Sequence, residues 1–98
     1  MSQRSSGPAR AAGRLEIKNR LGLHARAAAL LVQIVARFNA EITVAKDDQT
    51  VNGKSILGLM MLAAGQGTVI EVAAEGPDAQ AALDAITALV EDKFQEGE

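Results

Sequence analysis

The sequence predicts an α+β fold in which three helices pack on one face of a four-stranded, mainly antiparallel sheet, in the order βαββαβα. Short segments of strand-like residues are interleaved with segments whose apolar residues recur at helical spacing. The length supports this class, because 98 residues make one domain and are too few for a doubly wound sheet. Hydrophobic residues make up 48% of the chain but only two residues are aromatic, which predicts an aliphatic core.

The first half of the chain contains two predicted strands and one predicted helix. Residues 15–18 alternate apolar and polar side chains, as a half-buried strand does, and residues 19–22 follow as a loop. A helix is predicted over residues 25–38, and β-branched side chains predict the second strand over residues 41–45. The apolar face of this helix consists of Ala27, Leu30, Leu31, Ile34, Val35 and Phe38.

The segment that follows has two interpretations. Residues 46–49 suit a turn, after which Thr50 and Val51 can begin a returning strand. Alternatively, Asn52 and Gly53 are themselves a hairpin turn, and periodicity alone does not decide between the two. Ser55 then suits the N-cap of a short helix over residues 56–63.

The remaining residues predict one strand and one helix. The glycines of Gly65-Gln66-Gly67 end the short helix, and residues 68–73 form the fourth predicted strand. Gly76, Pro77 and Asp78 introduce a last helix that reaches about residue 94. Its apolar face consists of Ala79, Leu83, Ile86, Val90 and Phe94.

The first 14 residues differ in composition from the rest. They are small, polar and weakly basic, and they lack the apolar segment of a signal peptide, so we expect a cytoplasmic protein. We interpret residues 1–14 as a flexible N-terminal extension and residues 15–98 as the folded domain.

Composition excludes several classes of function. Residues 15–98 contain seven basic and twelve acidic side chains, a net charge of −5, and the chain has no tyrosine or tryptophan, which disfavours a nucleic-acid binder. The absence of cysteine excludes disulfides and thiolate metal sites. No apolar stretch approaches the roughly 20 residues of a membrane span, so we expect no membrane insertion.

The only histidine, His24, stands at the start of the first predicted helix. Ser, Thr, Asp or Asn normally occupies such a position, so histidine is a locally poor choice there and indicates a site. The free N–H groups of a helix start favour an anion and disfavour a charged imidazolium, while Arg26 adds a planar donor for phosphate oxygens. Gly22 allows a partner to approach the backbone closely.

The residues alone leave two interpretations of the role of His24 open. One is a phosphohistidine site, in which a neutral imidazole at a helix start attacks phosphorus. The other is an ordinary capping or packed histidine. A metal site is disfavoured because no second histidine or cysteine exists to share the ligation. A catalytic triad is disfavoured because the sequence locates neither an orienting carboxylate nor a serine beside His24.

The run GLHARAA resembles the active-site signature of the HPr family, the histidine-containing phosphocarriers of the bacterial phosphoenolpyruvate-dependent phosphotransferase system. A second segment, VNGKSILGLMMLAA, resembles the regulatory-serine region of the same family, and the similarity extends over residues 15–94. The resemblance implies the family's open-faced β-sandwich. It also implies a carrier rather than an enzyme, a monomer with neither cofactor nor metal.

The resemblance also implies roles for particular residues. His24 would carry the phosphoryl group on Nδ1, and Arg26 would assist its transfer. Ser55 would be the site that a serine kinase phosphorylates, and a phosphorylase restores, in the branches that have them. The partners would be enzyme I, which loads the carrier, and proteins of the enzyme IIA type, which unload it.

The short helix has almost no polar face, which predicts that part of it is exposed to partners. Methionine suits a surface that serves several partners. By resemblance, the partner-binding patch beside His24 would consist of Leu23, Ile56, Leu57 and Met60, with Lys54 and Arg37 as candidate rim charges.

The chain departs from the family pattern at several positions. Ala27 stands where proline is usual, and the run NRLGLHAR, with Leu21, looks closer to the nitrogen-related branch than to the sugar-transport branch. Positions that are commonly basic in sugar-transport members are Gln33, Ala36 and Gly58. These departures leave open a regulatory module that docks to partner proteins according to its phosphorylation state.

Overall fold

A computed structural model describes residues 9–97 of the chain. Within these residues, four strands and three helices follow one another in the predicted order, and a short 3₁₀ turn comes last. Their bounds are β1 Arg10–Glu16, α1 Ala25–Val35, β2 Glu41–Lys46, β3 Gln49–Asn52, α2 Ile56–Met61, β4 Val69–Glu75, α3 Ala79–Glu91 and the 3₁₀ turn Lys93–Gln95. The prediction of an α+β fold with this element order is confirmed.

The strands form one antiparallel sheet in the order β1-β4-β2-β3. Burial alternates along the central strand β4, where Ile70, Val72 and Ala74 are buried and the residues between them are exposed. This alternation shows that the helices cover one face of the sheet while the other is open to solvent. Within the described residues, no helix has the length and hydropathy needed to cross a membrane.

The first strand is longer than the sequence predicts. β1 begins at Arg10, not at Leu15, and Arg10 to Arg14 pair with β4 from Glu75 to Glu71. The interpretation of residues 10–14 as part of a flexible extension is therefore wrong. Alanine and glycine give this stretch no apolar alternation, yet small residues fit here because the Leu83 side chain packs over Gly13. Residues 1–8, also assigned to the extension, lie outside the described residues.

The ambiguous segment is a hairpin whose turn lies at Asp47 and Asp48. Lys46 pairs with Gln49, and Asp47 has a positive φ of 54°, which aspartate tolerates better than most residues. Asn52 and Gly53 do not form the hairpin turn; they belong to a later turn, in which the Ser55 N–H donates to the Asn52 carbonyl at 3.0 Å. The Gly53 N–H donates to the Ile42 carbonyl at 2.8 Å. A Cβ at this position would lie 2.5 Å from the Ile42 side chain, so only glycine fits.

In the described part of the chain the core is aliphatic with one buried aromatic side chain, as the composition predicts. All three helices are shorter than predicted: α1 ends at Val35, α2 at Met61 and α3 at Glu91. The backbone then turns left-handed through Lys93, Phe94 and Gln95, with φ values of 55°, 52° and 63°. This turn directs Phe94 into the core, where it is fully buried, and sends the chain back toward α1.

Candidate functional site

His24 is the N-cap residue of α1, but its side chain caps nothing. The backbone is extended, with φ −80° and ψ −178°, and the imidazole makes no capping hydrogen bond. The side chain is 29% exposed, so it is not a core residue either. The imidazole therefore neither caps the helix nor lies in the core.

The loop before His24 is held in one conformation. Gly22 has a φ of +70°, and a Cβ there would lie 2.6 Å from the Ala64 carbonyl oxygen, so the position requires glycine. The next residue, Leu23, donates its N–H to the same carbonyl at 2.9 Å. The side chain of Asn19 donates to the Gly22 carbonyl at 2.7 Å. The start of α1 is thus attached to the segment that follows α2.

Glu96 completes the surroundings of His24, although 72 residues separate the two in sequence. Its Oε2 lies within hydrogen-bonding distance of His24 Nε2. The other carboxylate oxygen, Oε1, accepts a hydrogen bond from Asn19 Nδ2 at 3.0 Å. Neither Glu96 nor Asn19 is predicted from the sequence, because no local pattern indicates a contact made through a left-handed turn.

Arg26 lies on the same side of α1 as this cluster. Its Nη1 donates to the Phe94 carbonyl at 2.9 Å and lies 3.3 Å from Glu96 Oε2. The guanidinium is half exposed and lines a shallow depression. Its other walls are Arg20, Leu21, His24 and Glu96. The structure therefore brings the two predicted residues, His24 and Arg26, to one surface together with a second arginine and a carboxylate.

Glu96 is ionised at neutral pH. Burial raises its pKa, but the hydrogen bonds from His24 and Asn19, the charge that His24 has when it is protonated and the charge of Arg26 outweigh burial and leave the pKa below its ordinary value of 4.5. An ionised carboxylate only accepts hydrogen bonds, so the proton between the two groups belongs to His24 Nε2. Within residues 9–97, no group of three or more histidine, cysteine or acidic side chains could hold a metal ion.

Ser55 is the N-cap of α2, as predicted. Its Oγ accepts a hydrogen bond from the Gly58 N–H at 3.0 Å, and the residue is half-buried. The cap function of this serine is thus confirmed, while its role in regulation stays a prediction.

The predicted partner patch is exposed except at one position. Leu23 is only 4% exposed and packs in the core, so assigning it to a surface was wrong. Its backbone bond to Ala64 fixes the chain such that the side chain turns inward. The exposed apolar side chains of α2, which we call the α2 patch, are Ile56, Leu57, Met60 and Met61. Lys54 and Arg37 are both exposed.

Comparison with known proteins identifies the family. The family described as "PTS HPr component phosphorylation site" matches residues 11–92. The chain belongs to the HPr family. The phosphocarrier protein HPr of Neisseria meningitidis is 52% identical over 84 residues, which cover 86% of this chain and 94% of that protein. The resemblance inferred from the two sequence segments is therefore confirmed.

Two further relatives are informative for this HPr-family protein. The phosphocarrier protein NPr of Shewanella violacea is 50% identical over 80 residues, which cover 82% of this chain and 88% of that protein. The crystal structure of HPr-C-His from Thermoanaerobacter tengcongensis superposes with a TM-score of 0.84 at 48% identity, covering 88% of this chain and 97% of that one. The open-faced sandwich is thereby confirmed. Identities of 52% and 50% to HPr and NPr do not separate the two branches.

Proposed function

We propose that this protein carries a phosphoryl group on Nδ1 of His24, receiving it from enzyme I and passing it to proteins of the enzyme IIA type. The observation that carries this proposal is the hydrogen bond between His24 Nε2 and the ionised carboxylate of Glu96. A neutral imidazole has a hydrogen on one nitrogen and a free lone pair on the other. Because Nε2 donates to Glu96, the lone pair is on Nδ1.

The transfer step forms a bond between His24 Nδ1 and phosphorus and breaks the bond that joins phosphorus to the donor. The Nδ1 lone pair attacks the phosphorus of the donor's phosphoryl group, and the electron pair of the breaking bond returns to the donor atom. Unloading repeats the exchange with this protein as donor. Nε2 keeps its proton throughout, so no base has to remove it.

The start of α1 supports the phosphoryl group electrostatically. The first intrahelical bond runs from the Ala28 N–H to the His24 carbonyl at 2.8 Å, so the three preceding amides have no carbonyl of the helix to donate to. These amides and the helix dipole favour an anion. Arg26, half exposed beside His24, adds a charged donor for phosphate oxygens.

The α2 patch is the surface that we assign to partner docking. Its four side chains are between 41% and 68% exposed, and α2 packs against α1, which begins beside His24. Ser55 lies at the N-terminal end of the same helix, so phosphorylation there would add charge at the edge of the patch. We assign these partners, and with them the protein, to the cytoplasm on the strength of the family.

A second candidate function is a regulatory module that docks to partners according to its phosphorylation state. The observation in its favour is that Gln33 and Ala36, at commonly basic positions, are exposed, so the surface near α1 has fewer positive charges. The same phosphohistidine would act as the signal. The two functions differ in the identity of the partner and not in the chemistry at His24.

The test of the proposed function is phosphorylation by the protein's own system. The protein is incubated with phosphoenolpyruvate and enzyme I from the same cell, and the modified residue is located by mass spectrometry at alkaline pH. We expect one acid-labile phosphate on His24 and none on the variant His24→Ala. Phosphate that persists on His24→Ala would refute the assignment.

A further inference from the structure

We propose that Glu96, held in place by Asn19, is a positioning residue that sets the tautomer of His24 and stabilises the positive charge that develops on its ring. The inference rests on the proposed function, because it assigns how the same histidine is made ready for phosphoryl transfer. It goes further by assigning roles to two residues outside both sequence segments of the family resemblance.

Asn19 holds two chain segments together from a fully buried position. Its relative exposure is 0%, and Nδ2 donates both to the Gly22 carbonyl in the loop before His24 and to Glu96 Oε1. The amide oxygen Oδ1 has no hydrogen-bond partner within residues 9–97. Buried polar groups normally have hydrogen-bond partners, so leaving Oδ1 without one destabilises the fold. The two hydrogen bonds that Nδ2 donates explain why an asparagine occupies this position.

The C-terminal turn is the second support of Glu96. Three consecutive non-glycine residues, Lys93, Phe94 and Gln95, have positive φ, a conformation that L-residues rarely adopt in succession. The fully buried ring of Phe94 anchors the turn, and Arg26 donates to the Phe94 carbonyl. The burial of Phe94 and the hydrogen bond from Arg26 hold this strained turn in place. The turn thereby places the carboxylate of Glu96 against His24 Nε2.

The chemistry explains why a carboxylate is useful at this position. When Nδ1 bonds to phosphorus, the ring gains positive charge, and the ionised carboxylate at Nε2 stabilises that charge without accepting the proton. When the phosphoryl group leaves, the nitrogen–phosphorus bond breaks and its electron pair returns to Nδ1, giving the same neutral, Nε2-protonated ring. A carboxylate on the far nitrogen therefore assists loading, and after unloading it keeps the ring in the tautomer that accepts the next phosphoryl group.

The first test reads the tautomer and the transfer rate in the same variants. The full-length protein with ¹⁵N-labelled histidine is compared with Glu96→Ala by NMR at a pH where the ring is neutral. Phosphoramidate serves as a small phosphoryl donor that needs no docking partner. We expect the parent to be protonated at Nε2 and the variant to exchange between tautomers. We expect phosphorylation of the variant to be slower by about 10-fold, as for groups that orient a functional histidine.

Glu91→Gln is the matched control. It removes a carboxylate from the end of α3 that pairs with Lys18 and does not contact His24. Its tautomer and its rate should equal those of the parent protein. Glu96→Gln separates the two effects, because the amide oxygen can still accept from Nε2 but carries no charge. This variant should keep the tautomer and still be phosphorylated more slowly.

The second test uses a double mutant to show that Asn19 acts through Glu96. Asn19→Ala should slow phosphorylation in the parent background and cause no further loss in the Glu96→Ala background, a coupling that a purely structural role would not produce. An unchanged tautomer and rate in Glu96→Ala, or additive losses in the double mutant, would overturn the inference. The proposed function fails on a different result, namely no phosphate on His24 in the parent protein.

Discussion

Glu96 is the residue whose ionisation links the site to the stability of the fold. Burial alone would raise the pKa of its carboxyl, but His24, Asn19 and Arg26 favour the ionised form and lower it. A carboxyl whose pKa is lower in the folded than in the unfolded state stabilises the fold at pH values above its ordinary pKa of 4.5. That contribution is lost as the pH falls from this value toward the lowered one.

The first prediction follows from the lowered pKa of Glu96. The melting temperature of the parent protein should fall more steeply between neutral pH and pH values below 4.5 than that of Glu96→Gln, which has no carboxyl to protonate. The measurement is thermal unfolding of both proteins across this range. Parallel profiles for the two proteins would show that Glu96 contributes nothing to acid sensitivity.

The second prediction concerns Arg26, which has more than one contact. From sequence, this arginine is expected to assist transfer with a stability effect no larger than that of an ordinary surface residue, about 0.5 kcal/mol. The structure shows that it also donates to the Phe94 carbonyl and contacts Glu96. Arg26→Ala should therefore slow phosphorylation of His24 and also cost on the order of 1 kcal/mol of unfolding free energy, measured by urea denaturation.

Arg37→Ala is the control for that experiment, because Arg37 is exposed on the chain after α1. It should change the rate of phosphorylation by phosphoramidate very little. If Arg26→Ala were as fast as the parent in this reaction, Arg26 would be a structural residue only.

At the scale of elements, the sequence predicts the central residues of the helices and strands well and the residues at their ends poorly. The strand over residues 41–45 and the helix from Ala25 are predicted correctly because their apolar periodicity is strong. The part of β1 before Leu15 is not predicted, because Ala11, Ala12 and Gly13 have little propensity to form a strand. They are part of the sheet because they pair with β4 and contact α3. Contacts between elements decide where a strand or a helix begins and ends, and a local sequence pattern does not contain them.

The third prediction separates the two possible roles of Ser55. Ser55→Ala removes the acceptor of the Gly58 N–H and should cost about 1 kcal/mol of stability while leaving phosphoryl transfer normal. Ser55→Asp keeps an N-cap acceptor and should retain its melting temperature within a few degrees. Its negative charge beside Ile56 and Leu57 should slow phosphorylation of His24 by enzyme I, measured as an initial rate.

Phosphoramidate provides the control for this pair of variants. The small donor does not dock on the α2 patch, so Ser55→Asp should react with it nearly as fast as the parent protein does. If Ser55→Asp accepts phosphoryl groups from enzyme I at the parent rate, the serine is a helix cap and has no regulatory effect through charge.

At the scale of the whole molecule, the site joins the beginning and the end of the domain. The sheet order places β1 next to β4, and α1 packs against α3, so the turn after α3 reaches the start of α1. His24 and Arg26 can be found from sequence because they stand together in one short segment. Glu96 and Asn19 cannot, since only the completed fold brings them to the imidazole.

NMR of the phosphorylated, ¹⁵N-histidine-labelled protein identifies the ring nitrogen bonded to phosphorus, and so tests whether His24 carries the phosphoryl group on Nδ1. After reaction with phosphoenolpyruvate and enzyme I, we expect coupling of phosphorus to Nδ1 of His24, with the proton retained on Nε2. Phosphorus on Nε2 of His24, or on any other residue of the chain, would refute the assignment of Nδ1 as the carrier atom.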